Sequence, residues 1–168
     1  MKTNLKVALI VLFTMFLVSC SDDDDPVKEP ELLDLITPEY LEEQQEILET
    51  FGEIKQSLID GDMDKLISFH AYSPKFTEFI NGEPRKGSAA NEAFERQVFG
   101  AVTEVVRFEA DELKVSVYGQ VAIVTFHSDF HLKFGGDLAI INEQTSLMFV
   151  KTNNGWKIVH EHHSPLNQ

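Results

Sequence analysis

The periodicity of the chain changes once, near residue 104, and that change limits the folds it can adopt. Before it, apolar residues recur at helical spacing. Ile47, Phe51, Ile54 and Leu58 lie three or four apart, Met63, Leu66, Ile67 and Phe69 form a shorter segment, and Ala90, Phe94, Val98 and Val102 follow at four-residue intervals. Thr37 can cap the first helix, with Pro38 at its first position and Glu39 in the positive first turn, and the run ends near Gly61. Asp62 restarts a short helix and Ser88 opens a third. Between them, Pro74 to Ile80 alternates weakly through Phe76 and Phe79, Asn81-Gly82 makes a turn, and Arg85 and Lys86 sit in a solvated loop. After residue 104 the segments Val105 to Phe108, Leu113 to Tyr118, Val121 to Phe134, Ala139 to Lys151 and Trp156 to His163 are rich in Val, Ile, Thr and Phe. Gly119, Gly135-Gly136 and Asn153-Asn154-Gly155 punctuate them. Three helices followed by a long antiparallel meander make an α+β domain.

The 168 residues are 43% hydrophobic, enough for one packed core. A net charge of −14 with no basic patch repels phosphate backbones, so nucleic acid is not an expected partner. A single cysteine allows neither an internal disulfide nor a Cys-rich metal site. Its position is informative. Lys2 and Lys6, an apolar run from Val7 to Val18 and a small-residue exit have the form of a secretory signal, too short for a spanning helix, which needs roughly 20 apolar residues. The exit Leu17-Val18-Ser19-Cys20 resembles the bacterial lipoprotein box, which implies removal of residues 1–19 and lipidation of Cys20. Residues 20–36 would then be an acidic linker and residues 37–168 the domain, held at the cell envelope, in a bacterium with two membranes at the outer one. Ser21 to Asp25 resembles the surface-export signal of Bacteroidetes lipoproteins, while a solvated spacer explains the same run of carboxylates.

The most distinctive stretch is Gly155-Trp156-Lys157-Ile158-Val159-His160-Glu161-His162-His163-Ser164. Together with Gly119 to Phe126 and Thr145, it resembles the closing strands of SnoaL-like domains in the nuclear-transport-factor-2-like superfamily. It is also similar to the end of the association domain of calcium/calmodulin-dependent protein kinase II. The resemblance runs from Pro38 to Ser164. It implies a cone-shaped fold in which three N-terminal helices pack on a strongly curved antiparallel sheet around a pocket, commonly as a homodimer. The kinase domain lines its pocket with arginines, whereas the matching positions here are His127 and Ser146, so its carboxylate pocket is not implied.

Five of the six histidines lie in the strand half. In the last strand strict alternation places Trp156, Ile158, His160, His162 and Ser164 on one face and Lys157, Val159, Glu161 and His163 on the other. The second set is more polar, so His160 and His162 are expected to face the pocket, about 7 Å apart, as proton carriers. His-x-His could chelate a metal only with further ligands, and no metal or cofactor is assigned. His127, Asp129 and His131 share a face where Asp129 could orient a histidine, although a half-exposed strand shows the same alternation with no site at all. His70 and Tyr72 border the expected cavity, and Phe94, Phe126, Trp156 and Thr145 are expected on its wall. Asp60, Asp62 and Asp64 imitate a calcium loop, but Lys65 and Ala71 replace its required Gly and closing Glu, leaving caps and turns. The chain carries no phosphate-binding Gly-rich loop, dinucleotide fingerprint, nucleophile elbow or HExxH.

Three readings follow. The first is a lipid-anchored domain that binds a small, largely apolar molecule. The second is an acid–base enzyme of isomerase, cyclase or dehydratase type using His160, His162, His127 and Asp129. The third is a homodimeric assembly module.

Overall fold

The computed structural model describes residues 33–83 and 87–167. The signal segment, Cys20, the acidic run, Arg85 and Lys86 lie outside the described residues. The chain divides into two units, Met1–Leu33 and Asp34–Gln168, and the fold is that of the second. Its elements are α1 (Leu41–Asp60), α2 (Met63–Ser68), β1 (Thr77–Ile80), α3 (Ser88–Phe99), β2 (Glu104–Tyr118), β3 (Val121–Phe134), β4 (Asp137–Ile141), β5 (Glu143–Thr152) and β6 (Gly155–Pro165). This is an α+β fold of three helices and a curled six-stranded sheet.

The strands run in the order β1-β6-β5-β3-β2, with β4 pairing to the second half of β3. All pairs are antiparallel except β1 with β6, which is parallel because α3 and the long β2–β5 meander intervene between them. The sheet is therefore mixed rather than wholly antiparallel. Asn142 breaks the expected Ala139–Lys151 segment into β4 and β5, while the two segments expected between 105 and 118 form one strand. A bulge at Asp111–Lys114, with Glu112 at φ 54°, lets β2 bend without ending. Gly119, at φ 68° in the turn from β2 to β3, holds a conformation that a side chain would strain.

Local signals act as expected at most helix ends. Gly61 closes α1 at φ 68°, and the Asp62 carboxylate accepts the Lys65 N–H to cap α2. Asp60 accepts from Gln56 and Asp64 from Arg96, so these aspartates work in caps and ion pairs. The start of α1 differs. The Asp34 carboxylate takes the N–H groups of Ile36 and Thr37 in a turn of its own, and the helix begins only at Leu41 after a left-handed Tyr40.

The core lies between α1, α2 and the inner face of the sheet. Ile47, Ile54 and Leu58 of α1 pack with Val124, Phe126, Leu147, Phe149, Trp156 and Ile158. Each such fully buried large apolar side chain contributes about 1.5–3 kcal/mol by removal from water. The expected stripe on α3 is rotated: Ala90 is exposed and Phe94 only half-buried, whereas Asn91 and Glu95 are buried. A polar pair four residues apart lies on the inner face of this helix: Asn91 finds partners there in Tyr72 and Glu161, whereas Glu95 accepts no hydrogen bond from the described residues. Among the described residues no helix is long and apolar enough to cross a membrane.

Candidate functional site

A break in the alternation of β6 decides which side chains meet. Ile158 pairs with Phe149 and His160 with Met148, so Val159 is an extra residue on β6 and forms a bulge. Trp156 and Ile158 face inward as alternation requires, but beyond the bulge the phase inverts. Glu161 and His163 then turn inward, while His160 and His162 turn to the outer face, where His162 is exposed. This corrects the expected orientation of the two histidines. His160 Nδ1 lies 2.8 Å from Thr77 Oγ1, and its ring meets Phe79 edge-on.

The inward-turned residues join groups from four other elements. His70, just after α2, is fixed by backbone bonds on either side of it: Ala71 N–H donates to Ile158 O and Ile158 N–H to Phe69 O, both at 2.8 Å. Its Nε2 lies 2.9 Å from Glu161 Oε1, with the two side chains only 2% and 6% exposed. Asn91 of α3 donates to the other Glu161 oxygen at 3.1 Å and accepts from the Tyr72 hydroxyl. Tyr72 stacks on His70 at 5.1 Å, and Phe76 meets both rings edge-on. His163 Nδ1 lies 3.5 Å from Glu143 and 3.4 Å from Thr145 Oγ1, and its Nε2 is 3.9 Å from Glu161. Oxygens of Glu78 on β1, Glu95 on α3 and Glu161 lie within 4.8 Å of one another.

This cluster forms the polar end of a cavity of about 90 Å³. Phe51, Phe99, Phe108, Phe126 and Phe130 line its apolar part, with Phe108 and Phe130 stacked at 3.9 Å. His70, Glu95, Thr145, Glu161 and His163 supply the polar groups. Burial alone would raise the pKa of Glu161, yet the nearby His163 and the hydrogen-bonded His70 hold it well below the usual carboxylate range. Burial works against charging both histidines, and carboxylates more than offset it. Glu161 raises His70, while Glu143 and Glu161 push His163 up to about 10. Glu95 moves the other way. Burial and the negative charge of Glu161 push it up to about 8, because His70 and His163 offset these only in part. Glu95 accepts no hydrogen bond from any described residue.

At neutral pH the polar end therefore carries an anchored Glu161 anion, an imidazolium at His163 and a neutral Glu95 carboxyl open to the cavity. Such a set can donate hydrogen bonds or exchange a proton with a bound molecule. Three converging carboxylates also resemble a cation site, but Glu161 is already bonded to His70 and Asn91. A metal there would compete with the hydrogen bonds from His70 and Asn91 that already hold Glu161.

Of the expected site residues, the structure brings together His70, Phe126 and Thr145 at the cavity, with Tyr72 behind His70. Phe94 and Trp156 are elsewhere: Phe94 lies off the buried face of α3, and the Trp156 indole donates to Glu46 at 2.8 Å. His127 and Asp129 stand on the outer face of β3, since Phe126, Ser128 and Leu132 occupy its inner one. There Asp129 pairs with Arg107 at 3.0 Å and His131 at 2.8 Å, at the water-exposed surface. Sequence reasoning missed Asn91, Glu95, Glu161 and His163. The one signal for them was that Glu161 and His163 share a face, as do Asn91 and Glu95.

A family model for the SnoaL-like domain matches residues 47–168. No curated protein matches the chain. Among solved structures, it is similar to a presumed dehydratase of the nuclear transport factor 2-like family from Streptomyces avermitilis, at 20% identity and TM-score 0.66, covering 76% of this chain and 98% of that one. A nuclear transport factor 2-like superfamily protein from Salmonella enterica gives 22% identity and TM-score 0.65 over 76% and 93% of the two chains. A protein of unknown function from Pseudomonas putida gives 22% and 0.59 over 74% and 88%. At these identities the likeness extends to the fold, and with the family match over most of the chain it leads to one conclusion: the protein belongs to the SnoaL-like family, built on the nuclear transport factor 2-like fold.

Proposed function

We propose that this protein is a lipid-anchored domain of the bacterial cell envelope that binds a small, largely apolar molecule in the cavity between α1, α3 and the sheet. The observation that carries the reading is the cavity itself: five phenylalanines form its wall, and a few polar side chains converge at one end. That division is the usual makeup of a small-molecule site, with apolar area for affinity and few polar groups for orientation. At about 90 Å³ it suits a small ring or the end of a longer molecule rather than a fully enclosed large ligand. The sequence of residues 1–20 supports the anchor. Exposed Leu138 and Ile140, on the outer face beside His131, suit a second copy of the chain and support a homodimer.

Native mass spectrometry of the domain without Cys20, purified gently from its own host, tests the reading. The expected result is a dimer carrying a reproducible extra mass. Empty protein in every preparation, with no thermal shift from any small apolar compound, would sink it.

A second reading, acid–base catalysis on the bound molecule, is favoured by a specific observation. Glu95, with its pKa pushed up to about 8, faces the cavity beside the His70–Glu161 pair. A carboxyl poised near neutral pH is suited to give and take protons. The catalytic group would then be Glu95 rather than His160 or His162. NMR titration of His70 and His163 in the wild type and in Glu95→Gln checks this: coupled titrations that uncouple in the variant support it, and identical curves count against it.

A further inference from the structure

We infer that the cavity selects a small ammonium ion, a protonated amine on a short apolar body, with Glu95 as the carboxylate that receives it. This rests on the pocket reading above and names the ligand chemistry within it. Glu95 lines the cavity, is 8% exposed and accepts no hydrogen bond from the described residues. Its neighbours are already engaged. His70 and Asn91 hold both oxygens of Glu161, while Glu143 accepts from Asn81 and lies 3.5 Å from His163. Neither imidazole is therefore left to neutralise Glu95. A buried carboxylate without a cation or a donor is costly, so the empty site leaves Glu95 short of one positive partner.

An ammonium supplies that partner. Its N–H groups donate to Glu95, the Glu95 proton leaves to solvent, and the five phenylalanines that line the cavity take the apolar body. The faces of aromatic rings attract a cation as well. A metal ion would need the oxygens of Glu161, which are taken, whereas an ammonium needs only those of Glu95. Charged or titratable groups come from the elements around Glu95: Glu161 and His163 on β6, Glu143 on β5, His70 after α2, Tyr72 in the loop that follows, Glu78 on β1 and Glu92 on α3, with Lys55 of α1 over the Phe108 ring. Burial and Glu161 push Glu95 up to about 8, so below that pH a bound ammonium has to displace a proton.

Binding of three branched four-carbon probes, measured by NMR titration between about pH 6 and pH 8, tests the inference: isobutylamine, its neutral counterpart isobutanol, and isobutyrate. At pH 8 the amine is expected to bind about tenfold or more tightly than the alcohol, the value of a charge-assisted hydrogen bond. Its affinity should rise roughly tenfold per pH unit on the way there, since one proton is released for each amine bound, while that of the alcohol stays level. Glu95→Gln should remove both the slope and the advantage of the amine and leave alcohol binding in place. That variant is nearly isosteric and breaks no hydrogen bond among the described residues, so it is expected to fold, and the pH series on the wild type stands without it. An amine that binds no better than the alcohol at pH 8, or whose affinity does not rise with pH, would overturn the ammonium site and leave the pocket reading intact. Preference for isobutyrate would overturn it in favour of an anion held by His163. Failure of all three probes would overturn both readings.

Discussion

The two faces of the sheet each carry a histidine paired with a carboxylate, and the contrast between them shows what burial does to the same chemistry. Inside, His70 and Glu161 are 2.9 Å apart with side chains 2% and 6% exposed. Outside, His131 and Asp129 are 2.8 Å apart but 25% and 23% exposed, with Arg107 sharing the aspartate. The distances are alike. Water screens the outer pair and solvates either partner if the other is lost, so its contribution to stability is small. The inner pair has no such alternative, and its members depend on one another, on Asn91 and on His163. A contact distance alone would have ranked the two sites as equals.

The sharpest way to break this comparison is to remove one carboxylate from each face. Glu161→Ala should destabilise the domain by about 3–5 kcal/mol in urea denaturation, because it strands His70 and Asn91 in the interior. Asp129→Ala should cost under about 1 kcal/mol. Equal losses would mean that burial is not what separates the faces.

A pH series sharpens the same contrast. The folded pKa of His163 is raised to about 10, so the stability it contributes is present below its unfolded value near 6.5 and is lost as pH rises toward 10. Glu95 acts in the same direction. Its folded pKa lies above the ordinary 4.5, so the folded state opposes ionisation, and stability falls between about pH 4.5 and 8. Glu161, lowered on folding, contributes stability above about 4.5 that is lost only on acidification. The urea midpoint should therefore be lower at about pH 9 than at about pH 6, and Glu95→Gln should flatten the lower part of that fall. A midpoint that rises over this range would contradict the inner network.

The smallest effects belong to the residues that strict alternation had favoured. His160→Ala and His162→Ala should each change stability by no more than about 0.5 kcal/mol and leave binding of a cavity ligand unchanged. A large loss of ligand affinity in either variant would return the site to the outer face.

How much of this was legible from sequence differs element by element. The Gly61 and Asp62 caps involve near neighbours, so short-range chemistry settles them, and the run from Val121 to Phe134 follows its own alternation. The cavity wall was partly legible, since Phe126 follows from alternation along β3 and His70 and Thr145 from the family resemblance. Glu95 and Asn91 were hidden because an apolar stripe through Phe94 is the ordinary expectation for a helix. Only a partner more than 60 residues away, Glu161, makes Asn91 the better residue on that face. The start of α1 was missed for a local reason of another kind, because the Asp34 turn competes with a cap at Thr37.

By itself, then, the sequence determined the class of fold, the order of its elements and the family, because these rest on periodicity, turn chemistry and motif, which are written along the chain. Tertiary structure alone decided the identity of the inner polar groups. One extra residue at Val159 inverts the phase of β6 and exchanges His160 and His162 for Glu161 and His163. A bulge is set by pairing with Met148 and Phe149 across the sheet, and a strand read alone has no way to count that partner.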